Sequence, residues 1–206
     1  MPLSEKQIRQ ERNRWLIPLR RRYVRMVAPL AAIFDKYVKL AAADYAKNET
    51  PGGALDKLFL ARELKDFFKA RLKPVMKFSA DTTSAQIQSE IKNDFDLTLY
   101  LAEWVETQQF INMMEIISTT FYQDLQEIIG QGISQEMTRR DIEKNILEIG
   151  MAGSKTRAKV IARNETHKAS MYASERRAKE GARSSQRRLV VLTRARRGVK
   201  GSAARR

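Results

Sequence analysis

The chain has 206 residues, 43% of them hydrophobic, with no cysteine and a formal net charge of +15. That apolar content is enough for a real core and argues against general disorder, and the length holds one domain or two small ones. The lack of cysteine excludes disulfides, thiolate zinc sites and cysteine nucleophiles together, and fits a reducing compartment.

The charge is uneven. Residues 1–30 carry eight Lys/Arg against two Glu, or +6, and residues 181–206 carry nine Lys/Arg and no acid, or +9. The 150 residues between them hold 22 basic and 22 acidic side chains and are neutral. Basic ends on a neutral body suit nucleic acid or an acidic partner surface, and equally suit solvated tails. The N-terminus, MPLSEKQIRQERNR, is charged from its fifth residue, and the longest apolar run, near 28–34, is far shorter than a membrane span. A cytosolic protein, or part of a particle assembled in the cytosol, is expected.

In chain order the pattern is nearly all helical, with few glycines and prolines to punctuate it. Ser4 is placed to cap a first segment that is checked at Pro18; a second, basic segment over 19–26 meets Pro29. A helix over 30–47 should end at Asn48-Glu-Thr-Pro-Gly-Gly53, the clearest loop signal in the chain. Residues 54–72 form the next helix, which is expected to stop before Pro74, and Asp81-Thr-Thr-Ser84 has the look of a helix start. The longest periodic stretch, 85–129, carries a stripe at Ile111, Met114, Ile117, Phe121, Leu125 and Ile128. Gly130-Gln-Gly132 should end it. Thr138-Arg-Arg-Asp141 resembles a capping box opening a short helix with Ile142, Ile146 and Ile149. Gly150-Met-Ala-Gly-Ser154 is expected to be a break, with Ser154 capping an amphipathic helix over 154–180.

The stripe of that last helix is Ala158, Ile161, Glu165, Ala169 and Tyr172. A carboxylate within it destabilises unless paired or hydrogen-bonded, and arginines are its expected partners. Arg163 lies about 200° around the helix from Glu165 and cannot pair with it.

No catalytic constellation stands out. His167 is the only histidine, and an ordinary surface or edge position is expected for it. Asp94 and Asp96, two apart on a helical stretch, face different directions and suit a solvated face better than a metal site. There is no Gly-rich phosphate loop, HExxH or nucleophile elbow. Arg20, Arg21, Arg22 and Arg25 form a dense cluster flanked by Trp15 and Tyr23. Such a cluster suits phosphate contact and base stacking; alternatively the aromatics pack in the core and the arginines are solvated. Arg187, Arg188, Arg194, Arg196 and Arg197 of the tail are further candidates for nucleic-acid contact. No cofactor, metal or small-molecule substrate is expected.

Residues 104–180 resemble the phage Mu F-like minor head protein family, also called the phage head morphogenesis family. The order of elements carries the resemblance. A long helix ends in Ile128-Ile-Gly-Gln-Gly132-Ile-Ser134, a short helix follows over Arg140-Asp-Ile-Glu-Lys-Asn-Ile146, and a break leads to Arg157-Ala158 and Ile161-Ala162-Arg163-Asn164-Glu165-Thr166. The family usually has Thr where this chain has Asn164. It typically continues into a Trp and an Asp-x-Arg-Thr-Arg segment, whereas this chain has Leu189-Val-Val-Leu-Thr193-Arg-Ala-Arg-Arg197. A one-nucleotide shift of codons for Asp-Ala-Arg-Thr reads Thr-Arg-Ala-Arg, as at 193–196, which suggests a frameshifted or truncated family terminus. The same shift would turn a Trp codon into Gly, and 182–197 contains none.

The resemblance implies a minor structural protein of a tailed-phage or prophage head. It would act in head morphogenesis at the portal vertex and associate with the portal protein and with scaffold or major capsid protein. It would be found in the virion head and, during assembly, in the host cytoplasm. Arg157, Ala158, Ile161, Ala162, Arg163, Glu165 and Thr166 are the matching motif positions, with a structural role. Double-stranded DNA is expected to meet the basic ends, and neither a membrane nor enzymatic activity is implied. The alternative is a stand-alone helical nucleic-acid-binding protein using those ends. The expected architecture is all-α and elongated, with long amphipathic helices. Its parts are a helical N-terminal region over 1–80, a head-morphogenesis-like domain over 81–180 and a disordered basic tail over 181–206.

Overall fold

The computed structural model describes the backbone of residues 4–48, 57–86 and 97–203, with side chains over 4–47, 58–85 and 98–182 apart from Ile8 and Glu11. Among the described residues the elements are five α-helices: α1 (Glu5–Asn48), α2 (Lys57–Gln86), α3 (Leu97–Val105), α4 (Gln108–Ser134) and α5 (Arg139–Ala203). The all-α class agrees with the sequence pattern. None of these helices is long and apolar enough to cross a membrane.

Ser4 begins α1 with a capping box: its hydroxyl accepts from the Gln7 amide, and the Gln7 side chain accepts from the Ser4 amide. The helix then runs through Pro18 and Pro29, where breaks were expected. A mid-helix proline removes a backbone hydrogen bond and costs roughly 3 kcal/mol. The buried stripe Leu19, Met26, Leu30, Phe34, Val38 and Ala42 continues unbroken past both prolines. Each large side chain there gains roughly 1.5–3 kcal/mol by burial, so the stripe outweighs the prolines.

Pro74 likewise lies inside α2, because Leu60, Leu64, Phe68, Leu72, Met76 and Ala80 keep one face buried on both sides of it. The expected helix start at Asp81–Ser84 is instead the last turn of α2. There the Thr82 and Ser84 hydroxyls donate to the carbonyls of Phe78 and Ala80 (both 2.8 Å) rather than capping a new helix.

The single long helix expected over 85–129 is also divided. Thr107 separates α3 from α4, accepting from the Phe110 amide at 3.2 Å and donating to the Trp104 carbonyl at 2.7 Å. Met114, Phe121 and Leu125 are buried as the stripe required; Ile111, Ile117 and Ile128 are only half-buried, and Phe110, Ser118, Tyr122 and Ile129 share the inward face.

The glycines are joints, not ends. Gly130 and Gly132 lie inside α4, which stops at Ser134, and Glu136 takes the left-handed conformation (φ 54°) that follows it. Met137 donates to the Gly132 carbonyl and Glu136 to that of Ile133, the paired bonds of a Schellman ending. A Cβ on Gly132 would stand 2.6 Å from Cγ1 of Ile142. The break expected over 150–154 is absent. α5 passes straight through, a Cβ on Gly150 would stand 2.9 Å from Val38, and Ser154 is buried with its hydroxyl on the Gly150 carbonyl (3.0 Å). Ile149 is therefore exposed, with Gly150 in the inward position. At the expected Thr138–Asp141 box the Thr138 hydroxyl caps the helix, accepting from the Asp141 amide at 3.3 Å and donating to the Asp141 carboxylate at 2.6 Å.

α5 touches every other helix. It runs antiparallel to α1, with Arg139 on the Ala46 carbonyl at one end of the seam and Arg157 over Phe34 further along. It runs antiparallel to α4 (Arg157 with Asp124, Lys168 with Met113) and parallel to α2, where Ser170 meets Ser79 and Arg177 meets Ser84. Core residues from 19 to 173 form one cluster. The 181–206 segment starts within the span of α5, and its side chains from 183 onward lie outside the described ones; residues 49–53 of the expected loop, and the first residues of the helix expected from 54, lie outside the described residues.

Candidate interaction groove between α1 and α5

The motif residues divide into a buried seam and an exposed edge. Ala158 and Ala162 are fully buried, and Ala169 and Ala173 continue the same small-residue line, which lets neighbouring helices approach closely. Ile161 and Tyr172 are only half-buried, so the inward face is rotated slightly from the one the spacing suggested. Arg157 pairs with Asp124 and lies 5.2 Å from the Phe121 ring centre and 5.6 Å from that of Phe34. It thereby joins α5 to α4 and α1, beside a cavity of about 290 Å³ lined in part by Gly150 and Gly153.

Glu165 is buried, with 1% of its surface exposed, as its place in the stripe implied. Its partner is not an arginine. Lys168, one turn along the same helix, donates to Oε1 at 3.2 Å and also reaches the sulfur of Met113 at 2.9 Å. Oε2 has no hydrogen-bond partner among the described residues. Burial raises the carboxyl's pKa above its ordinary value, against the smaller opposing effect of the Lys168 charge. An i,i+3 lysine suffices because its flexible stem can fold along the helix while its head stays near solvent.

Arg163 and Thr166 face elsewhere. With Asn164 and His167 they form one wall of a groove of about 630 Å³, whose other wall is the Leu16, Ile17, Arg20 and Tyr23 face of α1. The antiparallel seam brings together residues more than 140 apart in the chain. Leu16 and Ile17 are about half exposed (51% and 48%), so the floor is apolar and open. Arg20 and Arg163 are exposed and form no ion pair with any described residue. The Thr166 hydroxyl is buried at the groove wall without a hydrogen-bond partner among the described residues. None of the side chains lining the groove is acidic. The arrangement offers positive charge and apolar surface, and its chemistry is binding.

The basic cluster on α1 splits. Arg20, Arg21 and Arg25 are exposed. Arg22 instead donates to the Pro18 carbonyl at 3.1 Å and lies 4.4 Å from the centre of the Phe78 ring on α2; burial, and then the Arg25 charge, lower its pKa. Trp15 packs edge-on against Phe78, with ring centres 6.0 Å apart, and Tyr23 lies partly buried against the core. The aromatics thus serve packing, with solvated arginines around them. The side chains of Arg187, Arg188, Arg194, Arg196 and Arg197 lie outside the described ones, and Asp94 and Asp96 lie outside the described residues. His167, expected at an ordinary edge position, is exposed on the groove wall. Sequence reasoning missed Leu16 and Ile17; their spacing ahead of Arg20 and Tyr23 was the available signal.

Among the described residues, no group of three or more His, Asp or Glu is placed to hold a metal ion. In comparisons with known proteins, the chain matches no family model, no curated protein and no solved structure.

Proposed function

We propose that this chain is a minor structural protein of a phage or prophage head, acting in head morphogenesis at the portal vertex. The reading rests on the sequence order in 104–180 that resembles the head morphogenesis family. One structural observation supports it. The motif residues serve helix docking rather than chemistry: Arg157, Ala158 and Ala162 bind α5 into the bundle, Glu165 is buried against Lys168 of its own helix, and Arg163 and Thr166 line an open groove. In this reading the portal protein and scaffold or major capsid protein are the partners, and the protein resides in the virion head after assembly in the host cytoplasm. The exposed Arg21 and Arg25, which do not line the groove, contact packaged DNA through its phosphates.

The test is co-expression of the chain with the portal protein encoded beside its gene, followed by size-exclusion chromatography with light scattering and by analysis of purified heads. A defined complex with the portal, and a few copies per head, is the expected result. Absence from heads together with no portal complex would overturn it. The exposed arginines favour a second reading, a stand-alone nucleic-acid-binding protein. It predicts binding to duplex DNA without any portal, with affinity falling steeply as salt rises.

A further inference from the structure

The groove between α1 and α5 has a chemistry that specifies its occupant whichever particle the chain belongs to. We propose that it docks a short acidic-apolar segment of a partner protein: one or two aliphatic side chains seated on Leu16 and Ile17, with flanking Asp or Glu held by Arg20 and Arg163. This goes beyond the head-assembly reading and does not depend on it.

Three observations carry the inference. The first is charge: two exposed guanidiniums face the groove from opposite helices, neither is paired within the described residues, and the lining contains no acid. Carboxylates are the complementary ligand, since a guanidinium fork matches two carboxylate oxygens. The second is the floor. Leu16 and Ile17 are half exposed beside the buried Leu19, a step into which an aliphatic side chain fits. The third is the Thr166 hydroxyl, in a residue 2% exposed and without a hydrogen-bond partner among the described residues, at the groove wall between Arg163 and His167. A buried hydroxyl with no partner is costly, and a carboxylate or peptide carbonyl in the groove would accept from it.

Size and surface favour a peptide over nucleic acid. A volume of about 630 Å³ holds a few side chains, whereas a duplex is engaged through a row of phosphate contacts. The groove's aromatic ring, Tyr23, is partly buried against the core, so no exposed stacking platform is offered. Helical spacing also puts Val24 one turn beyond Arg20, and Val160 and Met171 one turn either side of Asn164 and His167. All three are exposed, so apolar surface continues along both walls.

The probe is a library of random 15-residue peptides displayed and selected on the full chain. Selected peptides are then synthesised and measured by fluorescence anisotropy against the parent, R20E/R163E, and the control K69E/K155E. The control carries the same charge change on exposed lysines outside the groove. Circular dichroism melting checks that each variant folds; all four positions are exposed. The expected result is enrichment of Asp or Glu beside Leu, Ile or Val. Affinity should fall about tenfold or more in R20E/R163E, with at most about a threefold change in the control. Thr166→Val should weaken the same peptides while leaving the melt unchanged or raised. No enrichment, peptides without acidic bias, or equal loss in both double variants would overturn the proposal. So would duplex DNA competing the peptides off the parent while binding R20E/R163E more weakly, because the groove would then be a phosphate site.

Discussion

The two halves of α5 meet their neighbours by different means. From Arg139 to Gly153 the inward positions are Ile142, Ile146 and Gly150, and contact is close: Gly132 of α4 touches Ile142, and Gly150 touches Val38 of α1. From Ser154 to Arg177 the inward line mixes alanines with polar groups, namely Ser154, Glu165, Thr166, Ser170 and Arg177. Close apolar contact has an affinity that falls when volume changes in either direction. Polar burial gains little net energy but penalises wrong pairings, because each group left without a partner is costly. One helix therefore joins its neighbours at one end by shape, while along the other stretch its polar groups are matched partly across the seam (Ser170 with Ser79, Arg177 with Ser84) and partly within the helix (Ser154 with Gly150, Glu165 with Lys168).

The largest expected effect tests shape. Gly132→Val should destabilise by about 3 kcal/mol, because its side chain meets Ile142 already at the Cβ. In a chain of this size that is a fall of roughly 6–12 °C in melting temperature. Adding Ile142→Ala should recover part of the loss, and independent, additive losses would show that the two positions do not meet.

The next effect tests chemistry. Lys168→Met strands the buried Glu165 carboxylate and should cost about 1–3 kcal/mol, the lysine being partly solvated. Combining it with Glu165→Gln should restore most of that, read as a coupling in a double-mutant cycle. Glu165→Gln alone carries a pH signature. Burial raises the folded-state pKa above 4.5, so the folded chain binds the proton more tightly than the unfolded one. That preference favours folding at low pH and is lost as pH rises through the folded-state value. The glutamine variant should thus melt at or above the parent at pH 7, with the gap closing as pH falls toward 4.5. A parent that loses ground to the variant as pH falls over this range would mean that the carboxylate is stabilised by more than Lys168.

A smaller effect lies at the Ser79–Ser170 contact, 2.7 Å and buried between α2 and α5. Ser170→Ala should cost about 1–2 kcal/mol by leaving Ser79 without its partner, while the double alanine variant should be nearly neutral. Smallest, and opposite in sign, Glu136→Gly should stabilise by roughly 0.5–1 kcal/mol, because a glycine accepts the left-handed conformation more readily. An unchanged melt there would show that the α4–α5 connection is tolerant of its turn residue.

What the sequence revealed and what it hid divide along a physical line. Local signals were readable: the Ser4 cap, the Thr138–Asp141 box and the helical periods depend on residues within one turn. The burial of Glu165 was readable too, since it follows from the period of the face it sits on. Helix continuity through Pro18, Pro29 and Pro74 was not, because the burial that outweighs each proline comes from other helices. The glycines at 132 and 150 misled for the same reason; local rules read them as ends, and only the neighbours Ile142 and Val38 show why a side chain is missing. The groove was half legible. Arg20 and Arg163 each stood out, but their meeting depends on an antiparallel pairing that no local pattern encodes.

The place of α5, last in the chain yet in contact with every helix before it, sets an order on biosynthesis. Leu30, Phe34, Leu64 and Phe68 are apolar faces made early. Much of their cover, up to Arg177, leaves the ribosome roughly 130 residues after α1 ends. At about 5–20 residues per second that is a wait of roughly 6–26 seconds, during which α1 and α2 can bury against each other and then against α3 and α4, but lack the cover of α5. The nascent chain must spend this interval either as an incomplete bundle of helices or in the hands of a chaperone. Slow translation of the 139–177 region would lengthen the period of exposure without altering the finished protein.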